Sequence, residues 1–269
     1  MKNSIIFISC ILYSCTSTQI NEKSIIQDDA FFELKKSHTY KTCETGVKNI
    51  NNYNLINNQW GTFKLKRGKL KLCQYYKTEN NKTIYGWEWD SPSDSRGVIA
   101  FPELQFSDSA IHFPLKYKSL KILTSKYNTR LISNNKYNLA FDIWLTYHDL
   151  KKNKNITIEL MIWEDYNKFT PYGSKRKSMQ TSFGVYDYYN GYLKNKKAKQ
   201  DWLITSFVRK SKRQIGSVNL KEILDFLLIE KIVPNDFSIS SIEFGTEILN
   251  SKGYILINDF EVNISENQK

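Results

Sequence analysis

Residues 156–163 have the sequence ITIELMIW, in which every second side chain is an isoleucine or a leucine. Successive side chains of a β-strand point to opposite faces, so this alternation predicts a strand with two unlike faces. We expect the aliphatic face to lie against a core. The opposite face places Glu159 beside the thioether of Met161 and the indole of Trp163, which suits the wall of a cleft better than a solvated surface.

The same alternation recurs along the chain between clusters of Asn, Gly, Ser and Asp residues. Short alternating runs predict half-buried strands, and many such strands in one chain predict a sandwich or jelly roll. The sequence therefore predicts an all-β domain. The other clear examples are residues 62–66, 138–146, 238–244 and 254–262.

One segment has helical rather than strand periodicity. Residues 219–233 carry leucine and isoleucine at positions 220, 223, 224, 227 and 228, the spacing of an amphipathic helix. Asn219 is a suitable N-cap with Glu222 three residues later, and Pro234 would end the helix. We expect one α-helix packed outside the sheets.

The amino terminus resembles an export signal. Residues 1–14 combine a short positive start with an apolar run that is too short to span a membrane. The sequence LYSC at 12–15 resembles a bacterial lipobox, which would make Cys15 the lipidation site; the alternative is an ordinary signal peptide cut elsewhere. We expect a signal peptide at 1–14, a lipid-anchored tether at 15–40 and a catalytic domain at 41–269. The protein would then be an exported, membrane-anchored lipoprotein facing the periplasm or the cell surface.

Cysteine use agrees with export. Cys10 would leave with the signal peptide and Cys15 would carry lipid, which leaves Cys43 and Cys73. An isolated pair in an oxidising compartment most simply forms one disulfide. The sequence has no Cys-x-x-Cys motif, and its three histidines lack metal-ligand spacing. We therefore expect no metal and no cofactor.

The chain of 269 residues carries a formal charge of +12 and 14% aromatic residues. A basic balance suits nucleic acid, an anionic membrane or an acidic polysaccharide, or serves solubility alone. No basic block is interleaved with aromatics as in nucleic-acid modules, so nucleic acid is not expected as a partner. The densest basic stretches, 175–177, 194–199 and 209–213, are interpreted as solvated loops. The aromatic residues suit either sugar stacking or strand formation.

Two further acidic positions are expected on cleft-like faces. In the strand at 138–146, Asp142 shares a face with Trp144, opposite the core. In residues 241–247, Glu243, Gly245 and Glu247 share a face, and Gly245 leaves room for a close approach. Paired carboxyl groups are what glycoside hydrolysis requires. From spacing alone, acids on a solvated strand surface remain the alternative.

Particular motifs extend this interpretation. ELMIW at 159–163, PYGS at 171–174 and FGTE at 244–247, in this order, resemble the motifs of glycoside hydrolase family 12, the endoglucanases and xyloglucan hydrolases. The resemblance runs from about Cys43 to Ile264. Its further segments are NNQWG at 57–61, GWEW at 86–89, FPEL at 101–104 and YNLAFDIW at 137–144.

The resemblance implies a β-jelly-roll sandwich of two antiparallel sheets with a concave substrate cleft. It implies that Glu159 is the nucleophile, Glu247 the general acid/base, and Asp142 a group that orients Glu159. The family retains anomeric configuration, which places the two carboxyl groups roughly 5–5.5 Å apart. It also pairs Cys43 with Cys73.

The implied substrate is a β-1,4-glucan, xyloglucan or mixed-linkage β-glucan, cut internally by a monomer. The resemblance, together with the cleft face of the strand at 156–163, gives six expected substrate-binding residues: Asn58, Trp60, Trp89, Met161, Trp163 and Pro171. Glu164 and Ile248 depart from the family pattern, and Glu243 is at most a modulator. Two alternatives remain open: a non-catalytic glucan-binding protein of the same fold at the cell surface, and a hydrolase of an anionic algal polysaccharide.

Overall fold

The computed structural model describes residues 29–92, 97–150, 153–195 and 200–267. The predicted signal peptide, the lipidation site Cys15 and the first part of the predicted tether lie outside these residues. Within the described ranges, no helix is long and apolar enough to cross a membrane.

Two sheets face each other. The smaller sheet, called here the outer sheet, has six antiparallel strands. In order across the sheet they are β1 (Tyr40–Thr42), β4 (Lys71–Glu79), β5 (Lys82–Asp90), β16 (Lys252–Glu266), β8 (Leu120–Ser133) and β14 (Ile215–Asn219).

The larger sheet, called here the inner sheet, has ten strands. The short strand β7 (Leu115–Lys116) pairs with the early part of β15. The others are, in order, β11 (Ser174–Thr181), β12 (Gly184–Asn195), β13 (Gln200–Arg209), β10 (Lys154–Asn167), β9 (Tyr137–Asp149), β15 (Ser238–Gly245), β6 (Glu103–Phe106), β3 (Tyr53–Asn57) and β2 (Gly46–Ile50).

The predicted jelly-roll sandwich is confirmed, with one refinement. Strands β10 and β13 run parallel, with Glu159 opposite Ile204, whereas the other strand pairs that the structure describes are antiparallel. Four of the five predicted strand segments lie in β9, β10, β15 and β16. The fifth, 62–66, is wrong: it contains a single 3-10 turn, Thr62–Lys64.

The core lies between the sheets and is rich in aromatic rings. Phe141 of β9 and Phe244 of β15 pack at 4.7 Å between ring centroids, and Phe244 stacks on Phe260 of β16 at 5.0 Å. The aliphatic residues of β10 at 158, 160 and 162 are fully buried on this side. Burying such side chains contributes about 1.5–3 kcal/mol each, so the core fixes which face of each inner strand is turned toward the cleft.

The described residues contain two α-helices, whereas one was expected. Helix α2 (Leu220–Ile229) is the predicted one, and Asn219 caps it by accepting from the backbone N–H of Glu222. It ends before residue 233 because Lys231 takes a left-handed backbone conformation with φ of 56°.

The second helix, α1 (Asp29–Ser37), lies in the segment that the sequence assigned to the tether. Its Phe31 stacks on Tyr254 of the outer sheet at 4.6 Å, and Leu34 is buried beside it. Phe32 is exposed and five of the nine residues of the helix are polar or charged, so the helical pattern was weak.

A disulfide joins Cys43 to Cys73, as expected. Gln59 donates a hydrogen bond of 3.2 Å to the Cys43 carbonyl. The disulfide therefore sits beneath the loop that carries Trp60.

Candidate active site

The concave face of the inner sheet forms a cleft with a volume of about 920 Å³. Strands β6, β9, β10, β13 and β15 supply its floor, and the loops at 58–64, 97–101 and 169–173 supply its walls. Eight of the nine predicted catalytic and binding residues line it together. They are Asn58, Trp60, Asp142, Glu159, Met161, Trp163, Pro171 and Glu247.

The ninth, Trp89, is not in the cleft. It lies on β5 of the outer sheet, is 2% exposed in the core, and donates from Nε1 to the Ser251 hydroxyl at 2.9 Å. Trp87 on the same face is also buried and donates to Thr246. The assignment of Trp89 to substrate binding is therefore wrong, because the inward face of an outer-sheet strand meets the core.

Glu247 follows the end of β15 and is held on both sides. The Asn138 amide donates to Glu247 Oε2, while Asn138 Oδ1 accepts from the Glu247 backbone N–H at 2.9 Å. The next residue, Ile248, donates its backbone N–H to the Ala100 carbonyl at 2.9 Å, which a proline could not do. The glutamate is thus fixed by side chain and backbone together.

The pKa of the Glu247 carboxyl group is raised, which favours its protonated form. Desolvation by the cleft walls and the nearby charge of Glu159 raise its pKa to about 8, although the Asn138 hydrogen bond and the Lys64 charge act in the opposite direction. These are the two effects that keep a carboxylic acid neutral near neutral pH.

Glu159 projects from the middle of β10 into the same cleft. The indole Nε1 of Trp202, on β13, donates to Glu159 Oε2 at 2.7 Å. Desolvation raises the pKa of Glu159 to about 7, while this hydrogen bond lowers it and the Glu243 charge raises it. Glu159 therefore gives up its proton before Glu247 does.

Three more carboxyl groups lie under the pair. Asp142 of β9 is opposite both Met161 and Glu243 in the strand register. It is buried, and burial followed by the charges of Glu159 and Glu243 holds its pKa well above the usual value. Glu103 is also buried and shares a hydrogen bond with Glu243, and Gln105 donates to Glu243 at 3.1 Å.

Gly245 makes room for a neighbouring strand, whereas the sequence predicted room for a close approach beside Glu247. A Cβ there would lie 2.4 Å from the Pro102 carbonyl and 2.9 Å from the Glu103 side chain. The close approach that the glycine permits is that of strand β6, which brings Glu103 under the cleft, and not that of a ligand.

Aromatic side chains stand at separate places along the cleft. Trp60 is half exposed on the loop at 58–64, whereas Trp163 is 1% exposed and its ring is covered by Phe169, on which it stacks at 5.0 Å. Trp144 and Trp202 pack at 6.3 Å near Glu159. Flat apolar faces of this kind suit the C–H faces of sugar rings.

Sequence reasoning missed Asn138, Trp202, Lys64 and Glu103 as site residues. Asn138 and Trp202 contact their glutamates across 109 and 43 positions of the chain. The only local signal was strand alternation: Asn138 and Asp142 are four residues apart in one strand, so their side chains share a face.

Two half-buried carboxyl groups that face one cleft are the arrangement that glycoside hydrolysis requires. The chain belongs to glycosyl hydrolase family 12, whose profile matches residues 30–265. The protein is thus an enzyme of the endoglucanase type and, more broadly, a hydrolase of β-glucans.

Particular relatives agree with this. Endoglucanase S of Pectobacterium parmentieri is 30% identical over 228 residues, covering 80% of this chain and 82% of the relative. A family 12 xyloglucanase from Bacillus licheniformis aligns with a TM-score of 0.72 at 23% identity, over 84% of this chain and 100% of the other. Trichoderma harzianum Endoglucanase 3 gives 0.69 at 22% identity, over 84% and 97%. The solved structures support the fold.

Proposed function

We propose that the protein is an endo-acting, retaining β-glucan hydrolase with Glu159 as nucleophile and Glu247 as general acid/base. The observation that carries the proposal is the placement of the two carboxyl groups: Glu159 and Glu247 face one cleft, Glu159 held by the Trp202 indole N–H and Glu247 by the Asn138 amide. Glycoside hydrolysis needs one ionised and one protonated carboxyl group, and the retaining course is what the family resemblance implies.

The proposed reaction has two steps. Glu247 gives its proton to the glycosidic oxygen while the Glu159 carboxylate attacks the anomeric carbon; the glycosidic bond breaks and a glycosyl ester forms on Glu159. The Glu247 carboxylate then takes a proton from water, whose oxygen attacks the same carbon and releases Glu159. Trp202 holds Glu159 by its hydrogen bond, and Asp142 lies beside it on the neighbouring strand.

The proposed substrate is a neutral polymer of β-1,4-linked glucose, with xyloglucan and mixed-linkage β-glucan as its close variants. The separated aromatic faces at Trp60 and at the Trp144–Trp202 pair suit several glucosyl units of one chain. Endo-cleavage follows from binding an internal stretch of the polymer. Relatives named as an endoglucanase and as xyloglucanases support this substrate class.

The test is reducing-sugar release from barley β-glucan, xyloglucan and carboxymethylcellulose by wild type, Glu159→Gln, Glu247→Gln and Glu261→Gln. Glu261 is exposed on β16 of the outer sheet, so the last variant is a matched control with the same chemical change. We expect both cleft substitutions to lower the rate by at least about a thousandfold, as removal of a catalytic group does, and the control to match wild type. Equal activity of all four proteins would overturn the assignment.

A wild type that binds glucan without cutting it would point instead to a capture protein. Product stereochemistry followed by proton NMR tests retention separately. Initial release of the β-anomer supports the proposed roles of the two glutamates, and release of the α-anomer rejects them.

We further propose that the enzyme is a monomer attached to the cell envelope through lipid on Cys15, which the lipobox-like residues 12–15 support. Metabolic labelling with a palmitate analogue is expected to mark wild type but not Cys15→Ala. Absence of label from both proteins would favour an ordinary signal peptide, and labelling of both would place the lipid on another residue. Light scattering of the detergent-free Cys15→Ala protein tests the oligomeric state.

A further inference from the structure

One basic side chain stands among the described residues that line the cleft. Lys64 Nζ lies 4.0 Å from the centroid of the Trp60 ring and donates to the Val98 carbonyl at 3.0 Å. The ammonium group therefore covers part of the indole face and bridges two of the loops that form the wall. An ammonium has three donors and no acceptor, so donors remain to be offered to a ligand.

The loop holds Lys64 in place. The backbone N–H of Gly61 donates to the Ile99 carbonyl at 2.9 Å, and that of Lys64 donates to the Gly61 carbonyl at 3.0 Å. A Cβ at Gly61 would lie 2.6 Å from Ile99 Cα, so only glycine permits this approach. The 3-10 turn at Thr62–Lys64 is thereby packed directly against the loop at 97–101.

Lys64 also lies close to the proposed acid. The positive charge of Lys64 acts to lower the pKa of Glu247, and the negative charge of Glu247 acts to raise the pKa of Lys64. A glucan that stacks on Trp60 and reaches Glu247 must pass this ammonium group. We propose that Lys64 is a substrate-binding residue that donates hydrogen bonds to hydroxyl oxygens of the glucan between Trp60 and Glu247. The inference rests on the proposed function of the same cleft.

The charge of Lys64 has a second consequence. The ionisable groups around Glu247 are Glu159 from β10, Asp142 from β9, Glu103 from β6 and Glu243 from β15, all acidic, and Lys64 from the wall. Lys64 therefore opposes Glu159, whose charge raises the pKa of Glu247, by favouring the ionised form of Glu247. Removing its charge raises the pKa of Glu247 and moves the alkaline limb of the pH–rate profile to higher pH.

The test compares Lys64→Met, Lys64→Arg and Lys66→Met in the full chain. Lys66 is an exposed residue of the same loop, so its substitution removes the same charge without touching the cleft. Binding of cellohexaose and of xyloglucan oligosaccharides is measured by calorimetry in the Glu159→Gln background, where no turnover occurs. The pH dependence of kcat/KM is measured in the otherwise wild-type chain.

Lys64→Met is expected to raise Kd about tenfold, the effect of losing one charge-assisted hydrogen bond, and to shift the alkaline limb upward. Lys64→Arg should keep most of both properties, and Lys66→Met should change neither. Equal Kd values for the two Met variants would overturn the binding role. An inactive wild type would reject the proposed function, while the calorimetry would still decide the role of Lys64.

Discussion

At the scale of single residues, the two glutamates differ by their neighbours and not by their chemistry. Both are half-buried in one cleft, yet Glu159 accepts from an indole N–H, whereas Glu247 faces the negative charge of Glu159. A neutral donor favours the ionised form and a like charge disfavours it. The roles proposed for the two glutamates agree with the hydrogen bond from Trp202 to Glu159 and with the charge of Glu159, which raises the pKa of Glu247.

This order predicts a bell-shaped dependence of kcat/KM on pH. Activity needs Glu159 ionised, so it falls as pH drops below about 7; it needs Glu247 protonated, so it falls as pH rises above about 8. The pair titrates as a unit, and the two limbs belong to the pair. Initial rates on soluble β-glucan across the neutral range test this. A profile that is flat through neutral pH would contradict it.

Asn138 gives a second prediction at this scale. Substituting Asn138→Ala removes the donor to Glu247 Oε2 and the acceptor for its backbone N–H. We expect kcat to fall about ten- to a hundredfold, since a small misplacement of a catalytic group has that effect. The alkaline limb should move to higher pH, because the ionised form of Glu247 loses a hydrogen bond. Unchanged kcat in a variant with native Tm would show that Asn138 has no positioning role.

The residues that the sequence predicted correctly were those that a single strand places. Alternation put Glu159, Met161 and Trp163 on one face, and the structure keeps them there. Asn138, Trp202 and Lys64 were missed because their significance depends on partners from other strands or loops. Pairing between distant segments is set by the whole fold and leaves no mark in a local pattern.

At the scale of elements, strand β10 contains an irregularity that serves the core. Its pairing with β9 shifts between Trp163 and Asp165, which leaves Glu164 as an extra residue. Glu164 is fully buried and accepts from Tyr127 at 2.5 Å, from Tyr186 and from Arg213 Nε at 2.6 Å. Glu164 departs from the family pattern, and the donors from Tyr127, Tyr186 and Arg213 compensate for the burial of its charge.

The hydrogen bonds to the buried Glu164 predict that a substitution there destabilises the fold, although this residue does not line the cleft. Glu164→Gln removes the charge that neutralises Arg213 and one acceptor, and is expected to lower the free energy of unfolding by about 2–4 kcal/mol. Urea unfolding against Glu261→Gln as control measures it. The double variant Glu164→Gln, Arg213→Met should recover part of the loss, because the uncompensated charge is gone. A single variant as stable as the control would contradict the account.

Elements were predicted well where amphipathic pattern and length agreed, as in β9, β10, β15 and α2. Trp89 was misassigned because alternation tells which side chains share a face, but not whether that face meets the core or the cleft. The outer sheet has no cleft side at β5; Glu88 there faces Tyr75 and Lys35 instead. Residues 62–66 alternate by chance, since the backbone contacts of Gly61 impose a turn.

At the scale of the whole molecule, the chain has a formal charge of +12, yet most ionisable groups among the described cleft-lining residues are acidic. The basic stretch at 175–177 is on strand β11 and not in a loop, and Lys175 and Lys177 pair with Asp187 and Glu230 at 2.7 and 2.6 Å. Arg213 pairs with the buried Glu164. The described residues lining the cleft include five carboxyl groups and one cation. We therefore expect the described basic residues outside the cleft to contribute to solubility rather than to recognition in the cleft.

This distribution predicts the charge of the substrate. A sulfate or carboxylate group buried in the cleft would need a paired cation. Lys64 is the one basic residue among the described residues that line the cleft. A polymer charged at every repeat would therefore leave most of its anions unpaired. We expect kcat/KM on barley β-glucan or xyloglucan to exceed that on a sulfated algal polysaccharide by at least about a hundredfold, the effect of roughly one uncompensated buried charge at 1.4 kcal/mol per tenfold.

Added salt distinguishes binding by the exposed lysines from turnover in the cleft. It should weaken adsorption to acidic polymers, because salt screens the exposed lysines, while kcat/KM on neutral oligosaccharides stays constant. A preference for the sulfated polymer would place its recognition on the basic surface and reverse the substrate assignment, whatever the roles of Glu159 and Glu247.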